Sequence, residues 1–134
     1  MAVMANVTVK KFDGITDIVW TAITGSGGDK TPAIWRSSSA NTGTTGQKPV
    51  ISMTGRSNAD GTVRRIDISA SYPSVYTNTS TGLTEVRSKM TFSGSFAVPQ
   101  NIVLADTQEF AAQISNLIAS SLFTTSVIAG FAPV

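Results

Sequence analysis

Three consecutive stretches of this chain alternate polar and apolar residues with a period of two, and the residues after them repeat at helical spacing. That order constrains the fold more than any other feature. In residues 50–56, Ser52, Thr54 and Arg56 alternate with Ile51 and Met53. In residues 63–72, Arg65, Asp67, Ser69 and Ser71 alternate with Ile66, Ile68, Ala70 and Tyr72, with Arg64 at the margin of the apolar set. In residues 85–96, Arg87, Lys89, Thr91, Ser93 and Ser95 alternate with Val86, Met90, Phe92 and Phe96. Successive side chains of a strand point to opposite faces, so each stretch predicts a strand with one wet and one dry face. The connections at 57–62, which hold Asp60-Gly61, and at 73–84 are short enough to join antiparallel neighbours.

Upstream, residues 7–12 and 15–23 read as two more strands around Asp13-Gly14, a two-residue hairpin signal. Residues 25–30 read as a flexible loop, 33–37 around Trp35 as a short strand, and the Gly- and Thr-rich 41–49 as a loop that leaves room for a further strand. Downstream the period changes. Asp106 and Glu109 stand three apart before an apolar run, which resembles a capping box with an Asp cap. Phe110, Ile114, Leu117, Ile118 and Leu122 recur at helical spacing. A break at 120–125 starts a second short helix through Val127, Ile128 and Phe131, ended by Pro133. Strands first and helices last predict an α+β domain with helices on one face of an antiparallel sheet. One domain over 1–134 is expected, with a hairpin at 1–24, a sheet at 33–97 and helices at 106–131.

The chain has no histidine and no cysteine, which removes the usual general base, the commonest metal ligands and disulfides together. Asp13 and Asp60 read as turn residues, Asp106 and Glu109 as a helix start, and no nucleophile elbow or phosphate loop occurs. An enzyme, a metal site and a cofactor are therefore not expected. No run approaches the ~20 apolar residues of a membrane span. The first ten residues lack a basic segment followed by an apolar one, so a cytoplasmic start is expected.

Only 13% of residues are charged, against roughly 25% in an average soluble protein. From Phe110 to Val134 there is no charge at all. Such a helical tail is either a neutral solvated face or a surface buried between subunits, where the absence of charges avoids their burial cost. Arg56, Arg65, Arg87 and Lys89 fall on the polar side of the three alternating strands, beside Ser52, Thr54, Ser69 and Thr91. Charges of this kind suit phosphate, and the hydroxyls suit phosphate or base edges. An ordinary solvated sheet face has the same look, and Asp67 and Glu85 dilute the field.

VISMTGR at 50–56 and RRIDISASYP at 64–73 resemble the central strand pair of single-stranded RNA bacteriophage coat proteins. VRSKMTFS at 86–93 is similar to their last strand, and EFAAQISNLIASSL at 109–122, running out to FAPV at 131–134, to their C-terminal helix pair, particularly in the alloleviviruses. Trp35 before a Ser-rich segment also fits the pattern. The likeness covers most of the chain from Ala33 onward. It implies an N-terminal hairpin, a five-stranded antiparallel sheet and two helices that interlock in a homodimer. It also implies an icosahedral shell built from dimers around single-stranded genomic RNA, in a virion assembled in the bacterial cytoplasm. It further implies binding of one genomic hairpin, repressing replicase translation. The RNA positions would be Ser52, Thr54, Arg56, Arg65, Asp67, Ser69, Arg87, Lys89 and Thr91; the dimer interface would hold Phe110, Ile114, Leu117, Ile118 and Leu122. Two positions depart from the family: Arg87 stands where several members place a base-stacking tyrosine, and Asp67 where a neutral or basic residue is common. Two other classes share parts of this description. A dimeric RNA-binding regulator would use the same sheet face without forming a shell. A pilin-like secreted subunit would share the Ser/Thr content but calls for a leader and disulfides.

Overall fold

The computed structural model describes residues 2–134, which form two compact units, 2–97 and 98–134. The first unit is built on strands β1 (Val7–Lys10), β2 (Asp17–Thr24), β3 (Pro32–Ser37), β4 (Val50–Ser57), β5 (Val63–Thr77) and β6 (Thr84–Pro99). They make one sheet in the order β1-β2-β3-β4-β5-β6. The sheet therefore has six strands where the resemblance implied five, because the N-terminal hairpin continues into it: Trp20, Thr21 and Ala22 of β2 pair with Ser37, Arg36 and Trp35 of β3. The second unit holds helices α1 (Leu104–Ile118) and α2 (Ser121–Ala129), bent by 52° at the break between them.

The hairpin turn is longer than Asp13-Gly14 predicted. The ladder closes with the Lys11 N–H donating to the Thr16 carbonyl, and Gly14 takes the left-handed conformation, φ 71°. Asp13 organises the turn. Its carboxylate accepts from the Thr16 hydroxyl at 2.6 Å and from the N–H groups of Ile15 and Thr16 at 2.8 and 2.9 Å. These bonds, the hydroxyl foremost, hold its pKa down to about 2. The folded value lies below the ordinary 3.8, so this contribution to stability is complete above that pH and disappears as pH falls towards 2. Asp13→Ala is accordingly expected to lower the melting temperature at neutral pH and to leave it unchanged near pH 2. Thermal melts of both proteins across that range check this.

Cross-strand partners define the two faces of the sheet. Ala22, Trp35, Ile51 and Ala70 share one, as do Met53 and Ile68. The alternation in 50–56 and 63–72 thus predicted which residues share a face, but that face is not dry within one chain: Met53 and Tyr72 are 37% and 44% exposed. β5 runs five residues further than its alternation suggested. Tyr72 donates to the Ala40 carbonyl, and Val75 lies against Gly43 of the same loop. Pro73, which has no N–H for the ladder, lies between them. The 41–49 segment carries a short 3₁₀ turn, Thr45–Gln47, and Gln47 Nε2 donates to the Thr84 carbonyl.

The helix ends differ from the sequence expectation. α1 starts two residues before Asp106, with Val103 as N-cap and no side-chain cap, so the capping box at Asp106 is not formed. Asp106 instead sits in the first turn, where a carboxylate meets the positive end of the helix dipole. α2 is capped by Ser120, whose hydroxyl accepts from Phe123 N. It ends at Gly130, φ 75°, and not at Pro133; Phe131 lies beyond the helix. No residue of either helix is buried.

Candidate nucleic-acid interface

The polar face is assembled by register. Ser52 stands opposite Ser69, Thr54 opposite Asp67, and Arg56 opposite Arg65. The Ser52 and Ser69 hydroxyls are 2.7 Å apart. Arg56 Nε donates to Asp67 Oδ2 at 2.6 Å, and Ser95 of β6 also hydrogen-bonds the same carboxylate. The Arg56 bond first, and Ser95 second, hold the Asp67 carboxyl below the usual carboxylate range, so it is ionised at neutral pH. Ser52, Thr54, Asp67, Ser69, Ser93 and Ser95 line an open hollow of about 390 Å³. Hydroxyls that both donate and accept, around one fixed acceptor, suit a polar planar group more than a phosphate.

Nearer the β5–β6 turn the face carries an aromatic group. The Arg87 guanidinium lies over the Tyr76 ring, 4.9 Å from its centre. The Tyr76 hydroxyl donates to Glu85 Oε2 at 2.7 Å, and Asn78 Nδ2 to Glu85 Oε1 at 3.1 Å. The hydrogen bond to Glu85, then its charge, raises the Tyr76 pKa above 10.0 and keeps the phenol neutral. Arg64 belongs to the opposite face, where it makes a two-pronged pair with Asp29 at 2.7 and 2.8 Å. Among the described residues, Arg65 and Lys89 are in no ion pair.

No family model matches the sequence, and no curated protein matches it. Solved structures do match. The virus-like particle of bacteriophage NT-214 superposes with a TM-score of 0.78 at 17% identity, over 99% of this chain and 100% of that one. The virus-like particle of Beihai levi-like virus 21 gives 0.79 at 16%, over 99% and 98%. The bacteriophage GA capsid protein gives 0.73 at 14%, over 98% of both. The chain has the coat-protein fold of single-stranded RNA bacteriophages.

Within this coat-protein fold, the nine positions expected to meet RNA divide into two groups. Ser52, Thr54, Arg56, Arg65, Asp67 and Ser69 share a face by register, with Ser95 of β6 joined to Asp67. Arg87, Lys89 and Thr91 occupy the same alternating, exposed series of β6 as Ser93 and Ser95. Arg56 is less available than its sequence position suggested, since Asp67 already neutralises it. Tyr76 was missed because Pro73 ended the strand signal; the Val75-Tyr76 pair beyond it was the only hint. Of the five expected dimer-interface positions, all on the coat fold's helical unit, Phe110, Leu117, Ile118 and Leu122 are exposed and Ile114 is half-buried.

Proposed function

We propose that this chain is a capsid subunit: two copies pair, and pairs close into an icosahedral shell around single-stranded RNA. The observation that supports this most is the end-to-end superposition on chains solved as virus-like particles, with nothing left over in either partner beyond a few residues. Two features support pairing through a second copy. The helices carry no charge after Glu109 and bury none of their apolar residues. β6, a 16-residue strand at the end of the sheet order, leaves Val86, Met90 and Phe92 exposed at 46%, 59% and 43%. A long apolar edge of this kind is unstable alone and pairs readily with another strand. We take the sheet and helices to act as one coat domain, with Phe110, Ile114, Leu117, Ile118 and Leu122 in the dimer interface.

The polar face would then meet the RNA. Arg65, Arg87 and Lys89 supply charge for phosphate; the hollow at Ser52, Thr54, Asp67, Ser69 and Ser95, and separately the Tyr76 ring further along β5, supply contacts of base size. Such a combination suits recognition of one RNA hairpin, and through it repression of replicase translation, as well as packaging. Assembly would take place in the bacterial cytoplasm and end in a virion, with no cofactor, metal, membrane or catalytic step. Sedimentation velocity of the purified chain tests this, with absorbance recorded for protein and nucleic acid. One fast, discrete boundary carrying both is expected. A dimer-sized boundary that binds RNA under all assembly conditions would assign the chain to a regulator without a shell.

A further inference from the structure

Arg36 of β3 stands directly opposite Thr21 of β2 and Val50 of β4, and Val50 in turn opposite Ser71 of β5. Val50 belongs to the alternating set of Ser52 and Thr54, so Arg36 joins the polar face, where neighbouring residues hid it among apolar ones in the sequence. Its state differs from that of Arg56 and Arg64. Arg56 is answered by Asp67 and Arg64 by Asp29, whereas among the described residues Arg36 is in no ion pair. The side chain is half-buried, and its Nε is closed off from solvent with no acceptor. An N–H left without a partner away from water is costly, more so in a cation.

We infer that Arg36 is a phosphate-binding residue for nucleic acid, an inference that rests on the RNA-packaging reading of this face. Nε gives up no hydrogen bond where it stands, so a phosphate that reaches it supplies a partner without breaking one. Nε and the adjacent Nη form a fork that matches two oxygens of a phosphodiester, and Thr21, the direct cross-strand partner, shares the face, with Ser71 beyond Val50. The stem, half-buried in the middle of the sheet, loses less freedom on binding than a lysine at the rim. Arg36 would thus anchor the backbone on the β2–β3 side of the hollow, with Arg65 and Lys89 on the other.

The test is binding of a labelled oligouridylate to the purified full-length protein across a salt series, for the unaltered chain, Arg36→Gln, Arg36→Lys and Arg65→Gln. Arg36→Gln is expected to weaken binding roughly tenfold or more at low salt. It should also make the logarithmic salt slope shallower by about 0.7, the value for one phosphate contact on a single strand. Arg36→Lys should keep the slope and lose affinity, because charge remains and the fork does not. Wild-type affinity and slope in Arg36→Gln, while Arg65→Gln shifts both, would overturn the role of Arg36 and leave the RNA reading intact. An unaltered chain that binds no RNA would sink both. If Arg36→Gln does not fold, wild-type affinity in Arg36→Lys is enough to overturn the fork. Inorganic phosphate should compete no better than chloride of equal ionic strength; stronger competition would assign the site to a free anion instead.

Discussion

Leu117→Asp and Ile118→Asp are each expected to give a folded chain that forms neither dimers nor particles. Leu117 is 53% exposed and Ile118 40% within one chain, so a carboxylate at either position stays in water while the chain is alone. Burial between two copies changes that. No Lys or Arg follows Lys89, so the helical unit brings no cation to the new charge. An unpaired charge buried in this way costs about 3–5 kcal/mol, enough to weaken pairing by roughly two to four orders of magnitude. Size-exclusion chromatography with light scattering reads the association, and circular dichroism confirms the fold. Normal dimers from both variants would remove these residues from the interface.

Arg65→Ala combined with Lys89→Ala is expected to reduce RNA affinity roughly a hundredfold at low salt, and the salt slope by about 1.4, without a matching loss of thermal stability. Both side chains lie on the polar strand series and neither is in an ion pair among the described residues, so the sheet loses little when they go. Arg56 behaves differently. Its removal leaves the ionised Asp67 without a counter-charge, so Arg56→Ala weakens RNA binding by adding repulsion as well as by removing a contact. Filter binding across a salt series distinguishes the two effects. An unchanged slope in the double variant would count against the basic face.

The parts of the fold governed by simple alternation were legible in the sequence. Ser52, Thr54, Asp67 and Ser69 fall on one face because β4 and β5 pair without interruption from Val50 to Ser57. Legibility failed wherever a local irregularity intervened. Tyr76 meets Glu85 and Arg87 of the polar series, and Pro73 interrupts the strand signal before it. Arg36 lies in a strand too short to show a period, and only its cross-strand partners reveal its face. At the helix ends, Asp106-x-x-Glu109 mimics a capping box, yet the backbone enters the helix at Leu104, two residues earlier. Gly130, in the left-handed conformation, ends α2 before Pro133 has a chance to. The hairpin is continuous with the sheet because β2 pairs with β3, a long-range contact that local signals do not encode.

The most direct test of the central claim is negative-stain electron microscopy of the chain expressed alone in bacteria, with nucleic acid content read from the same fraction. Uniform closed particles of icosahedral outline, containing RNA, are the expected result. Soluble dimers without particles, at protein concentrations and salt where shells should close, would contradict it.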